Sequence, residues 1–314
     1  MSRVYEALQK SQGEQSSASP LVSEQPEIGG VAAAVAANPA LAEAEQVQSL
    51  SVPEDRVLHP VPTPEQRLVA LSQPASKGAE MFRVLATRLA HMQNKRRLQK
   101  VLITSSVVDE GKSVVAVNLG LTLARRPDTR VLLIEADLRR PTAGALLSGS
   151  PLRGINEWSE GKLALEDSLY QVRDLPLWFL PAGRPMNEPL PLLESDKFAK
   201  MLDAISASFD WVLLDATPLL PMADSTSLAR LCDGVLVVVR EGVTRKQVLN
   251  KAVASIERSK LVGMVFNQAS TLNIDYENYY GGNHTGDNKS AKEAKKEAKK
   301  QAKKEAEQVK AASA

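Results

Sequence analysis

Cysteine is almost missing from these 314 residues: Cys232 is the single one, so no intramolecular disulfide can form. A reducing compartment is the natural setting for such a chain. Aromatic residues make up only 4%, so a core must be built mainly from Val, Leu, Ile and Ala. No apolar run approaches the roughly 20 residues needed to cross a bilayer. The opening Met1-Ser2-Arg3-Val4-Tyr5-Glu6 lacks the apolar stretch of a secretion signal. The expectation is a cytoplasmic protein that reaches a membrane only through a partner. A broad basic surface is lacking too. The net charge is +2, yet Lys289–Ala314 holds nine Lys against four Glu, a net of +5 that leaves −3 for the rest. That balance argues against nucleic acid as a partner.

Hydrophobic residues reach 43%, an ordinary globular share. Residues 1–12 carry Val4, Ala7 and Leu8 at helical spacing and predict a short helix. Residues 13–75 are rich in Ser, Glu, Gln, Pro and Ala without sustained periodicity, and read as a disordered linker. Residues 76–270 form the expected globular domain. Glu80 to Met92 fits an amphipathic helix with Met81, Leu85, Leu89 and Met92 on one face. Apolar runs then alternate with helical stretches: Val101–Thr104, Val131–Ile134, Leu177–Leu180, Trp211–Leu214, Val235–Val239 and Val262–Phe266. Continuous apolar strands separated by helices predict an α/β fold, a mostly parallel sheet with helices on both faces. Residues 271–288 form a Gly- and Asn-rich stretch with three tyrosines. Residues 289–314 are a Lys/Ala/Glu tail expected to be a solvated, partly formed helix.

The strand Val101–Thr104 runs into Ser105-Ser-Val-Val-Asp-Glu-Gly-Lys-Ser113 and then a helix. Backbone N–H groups at a helix start face an anion, and the helix dipole favours it. In such a phosphate loop Gly111 lets the backbone approach, Lys112 reaches the β- and γ-phosphates, and the Ser113 hydroxyl ligates Mg²⁺. The expected nucleotide contacts are Ser106, Asp109, Glu110, Gly111, Lys112, Ser113 and Val114. Ser106 stands where the strict pattern has its first Gly. Two later strands end in acids: Val131-Leu-Leu-Ile-Glu-Ala-Asp137 and Trp211-Val-Leu-Leu-Asp215. One acid after a strand is ordinarily a cap or turn residue. Two of them beyond a Gly-Lys-Ser loop point to a shared site, since ligands of open parallel sheets bind at the carboxyl ends of the strands. Asp215 and Asp137, with Ser113, are the candidate metal ligands. Glu135 or Asp137 could take a proton from an attacking hydroxyl, and Arg139 could neutralise phosphate charge.

From about Glu80 to Tyr280 the chain resembles the bacterial tyrosine autokinases (BY-kinases) of capsule and exopolysaccharide systems, in their cytoplasmic kinase-domain form. The motifs that carry the resemblance are Thr104-Ser-Ser, Glu110-Gly-Lys-Ser113, Ala136-Asp-Leu-Arg-Arg-Pro141, Leu180-Pro-Ala-Gly183, Asp215-Ala-Thr-Pro218, Ala223-Asp-Ser225, Asp233-Gly-Val-Leu-Val-Val-Val-Arg240 and the closing tyrosines. The family also carries Ser where Ser106 stands. The resemblance implies a P-loop NTPase fold, ATP with Mg²⁺, and phosphorylation of tyrosines, here Tyr276, Tyr279 and Tyr280, between subunits of a homo-oligomer. It assigns Lys112, Glu135, Asp137, Arg139 and Asp215 to catalysis and makes Asn267 a nucleotide-base contact. Its partners are a membrane polysaccharide co-polymerase as activator and a cognate tyrosine phosphatase, which would hold the protein at the inner membrane. Helix Glu80-Met-Phe-Arg83 resembles the family's ring-forming Glu-x-x-Arg-x-x-Arg, with Ala86 at the second Arg position. Glu135 replaces the family's usual Asp, and Val108-Asp109 its Pro-Gly. These departures leave a second reading, a catalytically weak nucleotide-binding regulator. A third, the partitioning and septum-site ATPases, expects a Lys where Val107 stands.

Overall fold

The computed structural model describes residues 52–61 and 67–269. The short N-terminal helix expected over 1–12, the tyrosine stretch and the Lys-rich tail lie outside the described residues. Eight strands form one sheet: β1 (Val57–Leu58), β2 (Lys100–Ser105), β3 (Val131–Glu135), β4 (Tyr170–Val172), β5 (Leu177–Leu180), β6 (Trp211–Asp215), β7 (Gly234–Arg240) and β8 (Leu261–Asn267). Their order across the sheet is β1-β4-β5-β3-β6-β2-β7-β8. Pairing is parallel from β5 through β3, β6 and β2 to β7, and parallel between β1 and β4. Strand β4 runs antiparallel to β5.

The central strands are buried along their whole length because both faces are covered. Successive side chains point to opposite faces, so each strand feeds two cores. Leu102, Leu132, Ile134, Val212, Leu214, Val235 and Val237 pack on one side. There they meet helices α7 (Asp196–Ser206) and α8 (Asp224–Leu231). Val101, Ile103, Leu133, Leu213 and Val238 pack on the other, against α2 (Lys77–Gln93) and α3 (Lys112–Leu123). The remaining helices are short or peripheral: α1 (Val69–Ser72), α4 (Ala143–Leu147), α5 (Ile155–Ser159), α6 (Leu190–Leu193) and α9 (Lys246–Val253).

Part of the stretch expected as a linker belongs to this core. Leu58 on β1, with Leu68 and Ala70 around α1, is buried in the α2/α3 layer. The sequence gives no period there because β1 is two residues long and α1 is one turn. Their burial comes from the layer they join. Asn118, fully buried on α3, ties α1 down. Its Oδ1 accepts from the Ala70 amide at 3.0 Å, and its Nδ2 donates to the Arg67 carbonyl at 3.1 Å.

Helix α2 begins at Ser76, whose side chain accepts from the Ala79 amide at 3.2 Å. On this helix Arg83 Nε donates to Glu80 at 2.7 Å, and Arg83 Nη1 to the Pro74 carbonyl at 2.8 Å. The register aligns the strand ends that matter for function: Glu135 stands opposite Asp215, and Asp215 opposite Ile103.

Candidate active site

The loop between β2 and α3 is shaped from below and from the side. Gly111, the N-cap of α3, has φ 85°, a left-handed conformation that favours glycine. A Cβ there would lie 2.1 Å from Asn267 Nδ2. That same amide donates to the Glu110 carbonyl at 2.9 Å. Glu110 is itself buried; its carboxylate accepts from the Val107 amide at 2.9 Å and from the Thr244 hydroxyl. Glu110 and Asn267 therefore hold the loop in shape. Neither lines the cleft above it, and neither does Ser106, which is fully buried.

The cleft has a volume of about 480 Å³. Asp109, Gly111, Lys112, Ser113 and Val114 line it from the loop and α3; Asp137, Arg139, Arg140 and Thr142 line it from the segment after β3. Lys112 Nζ lies 2.9 Å from Asp137 Oδ2, and Asp137 Oδ1 accepts from the Arg140 amide at 3.0 Å. Burial opposes the Lys112 charge, but Asp215, Asp137 and Glu135 outweigh it and hold the lysine above its ordinary pKa. The Ser113 hydroxyl accepts from Thr142 at 2.8 Å.

Asp215 is fully buried, and its carboxylate oxygens lack a well-formed hydrogen bond, the Ser113 hydroxyl being near enough only to favour the charge. Burial pushes its pKa up, while Lys112 and Ser113 pull the other way. A buried carboxylate short of donors beside a hydroxyl and a second carboxylate is an oxygen-donor set suited to Mg²⁺, which takes one or two carboxylates and keeps several waters. Among the described residues no group of three or more His, Cys, Asp or Glu makes a closed metal cage.

Glu135 was expected among the catalytic acids, and the structure turns it elsewhere. Its Oε1 accepts from the Ala143 and Gly144 amides at 2.6 and 3.2 Å, and its Oε2 from Ala182 at 3.3 Å. It does not line the cleft. The longer side chain carries the carboxylate past the strand end to the open amides of α4. Burial and the Asp215 charge still push its pKa up to about 7, against the pull of those three amides.

Arg139 does line the cleft, with its guanidinium already engaged. Nε and Nη2 donate to the two oxygens of Asp224 at 2.7 and 3.3 Å, and Nη1 donates to the Asn187 carbonyl. Asp224 is buried at the start of α8. Sequence reasoning gave it no role, although it sits in the matched Ala223-Asp-Ser225; the missing signal is a contact spanning 85 positions. Thr142 was missed likewise. Tyr276, Tyr279 and Tyr280 lie outside the described residues.

No protein-family profile matches the chain. Tyrosine-protein kinase YwqD of Bacillus subtilis is 30% identical over 219 residues, which is 69% of this chain and 92% of YwqD. The chain belongs to the bacterial tyrosine-protein kinase family. Succinoglycan biosynthesis transport protein ExoP of Rhizobium meliloti is also 30% identical, over 65% of this kinase but 27% of ExoP. Among solved structures, the kinase domain of Escherichia coli tyrosine kinase ETK superposes with a TM-score of 0.60 at 26% identity. The match covers 65% of this kinase and 82% of that chain. The P-loop NTPase fold and the kinase family therefore rest on both sequence and shape. No helix among the described residues is long and apolar enough to cross a membrane.

Proposed function

We propose that the protein is an ATP-dependent protein-tyrosine kinase that phosphorylates its own C-terminal tyrosines and thereby regulates polysaccharide synthesis and export. The observation that carries the reading is the meeting of Lys112, Ser113 and Asp137 in one cleft, with the buried Asp215 beneath it close enough to act on the charge of Lys112. The triphosphate would lie over the loop, its charge met by Lys112 and by backbone N–H groups at the α3 N-terminus. Ser113, Asp137 and Asp215 would hold Mg²⁺, which when bound supplies charge neutralisation at the β- and γ-phosphates.

In the transfer, the tyrosine oxygen forms a bond to the γ-phosphorus, the bond to the β-phosphate oxygen breaks, and ADP leaves with the electron pair. The phenolic proton passes to a carboxylate. With Glu135 bound to backbone amides, Asp137 in the cleft would be the carboxylate that accepts it. Catalysis here is positioning and electrostatics, because phosphoryl transfer asks for little covalent help. The likeness to ExoP, a polysaccharide transport protein, supports a membrane co-polymerase as the activating partner. Assembly into homo-oligomers, a cognate phosphatase and attachment to the inner membrane through that partner complete the proposal.

The test is mass spectrometry of the full chain after incubation with Mg-ATP and a cytoplasmic fragment of the co-polymerase. Phosphate is expected on Tyr276, Tyr279 or Tyr280 and absent in Lys112→Met. ATP hydrolysis without phosphotyrosine would overturn the reading in favour of a switch ATPase.

A further inference from the structure

We propose that Arg140 selects the substrate tyrosine by reading a carboxylate beside it; the inference rests on the kinase reading above. Five charged residues line the cleft: Asp109, Lys112, Asp137, Arg139 and Arg140. Lys112 and Asp137 neutralise each other at 2.9 Å. Arg139 is matched by the buried Asp224. Arg140 is different. It is exposed, and among the described residues its side chain makes no ion pair or hydrogen bond. Its backbone is nonetheless fixed, since its amide donates to Asp137 Oδ1 at 3.0 Å. A cation with a rigid base and a free head is thus held at the rim, within a few residues of the groups that perform the transfer.

The other unbalanced charge is Asp109, exposed and in the loop after β2. Arg140 follows β3, and β6 lies between β3 and β2. The rim is therefore positive on the β3 side and negative on the β2 side. Leu146, Pro218, Pro221 and Met222 line the same cleft and offer apolar surface to a phenol ring. In an extended peptide the next residue lies only about 3.3 Å further along, so a guanidinium beside the ring can reach a neighbouring side chain. Arginine's planar donors match a carboxylate in two parallel hydrogen bonds.

The tyrosines of the chain differ in this respect. Tyr276 stands between Asp275 and Glu277, whereas Tyr279 follows Asn278 and Tyr280 precedes Gly281. The rim charge favours Tyr276 as the first acceptor.

The experiment uses the full chain with Mg-ATP and residues 273–278 as an acceptor peptide, beside a neutral peptide with Asn and Gln in place of Asp275 and Glu277 and a basic one with Lys at both positions. Wild type should prefer the acidic peptide over the neutral one about fivefold in kcat/KM, mostly through KM, the size of an exposed ion pair. Arg140→Ala should bring that ratio to about one, and Arg140→Glu should reverse the preference toward the basic peptide. A preference kept intact in Arg140→Ala overturns the assignment. So does an equal loss on the acidic and neutral peptides with a raised KM for ATP, which would make Arg140 a nucleotide contact. Equal wild-type rates on those two peptides remove the selectivity alone. No phosphorylation of any peptide or of the chain's own tyrosines removes the kinase reading and this inference together.

Discussion

At Glu135 a carboxylate 2% exposed is held by three backbone amides yet pushed up to about 7 by burial and by Asp215. Its folded value lies above the ordinary 4.5, so between about 4.5 and 7 the folded state keeps a proton that the unfolded chain releases. Native stability is then full below that window and falls as pH rises through it. The total is on the order of 3 kcal/mol for this group. Chemical denaturation of the apo protein between pH 5 and 8 should show this decline, with a shallower slope in Glu135→Gln; equal slopes would refute the assignment. At Gly111 the prediction is steric. Gly111→Ala places a methyl 2.1 Å from Asn267 Nδ2 at a φ of 85°, where a side chain costs about 1 kcal/mol before any clash. Nucleotide affinity measured by calorimetry should fall about tenfold or more, since the loop must shift. The Gly-Lys-Ser signature was readable in the sequence because its function depends on adjacent positions. The turning of Glu135 was not, because its three amides come from residues 143, 144 and 182.

Elements differ in how far local pattern defines them. The strands of four or more residues from β2 to β8 stand out as apolar runs, and their observed limits lie within about a residue or two of those expected. Strand β4, with Tyr170-Gln171-Val172, and the two-residue β1 carry no period of their own. They exist because β5 and β4 offer edges to pair with. Helix α1 is held in the same way from outside, by the Asn118 side chain. Asn118→Ala would leave the buried Ala70 amide without a partner and free the carbonyl of the exposed Arg67, a loss of about 2 kcal/mol. Thermal unfolding should report that loss. Hydrogen exchange of the Ala70 amide should quicken more than that of the β3 amides; uniform quickening would mean that α1 is not a separately tethered element.

For the whole molecule, two cores on the faces of one sheet make a single cooperative unit of the strands. Cys232 sits in one of them at 3% exposure, and burial drives its thiol up to about 12. It should resist alkylation at pH 8 in the native protein and react only on unfolding, so its labelling rate should follow the global unfolding curve. Rapid labelling under native conditions would contradict the packing. At this scale the class of fold was legible from the alternation of apolar runs and helices. The strand order was not, because pairing partners such as Lys100 and Val212 are separated by more than a hundred positions.

The contact between Asn267 and the Glu110–Gly111 peptide bears on how the protein can be cut. Asn267 is the last residue of β8, nine positions ahead of Tyr276. A shortened chain made to remove the tyrosines must keep this asparagine, or the brace under the Gly111 turn goes with them. An inactive protein ending at residue 266 would then say nothing about the tyrosines, whereas one ending at 269 would isolate their contribution.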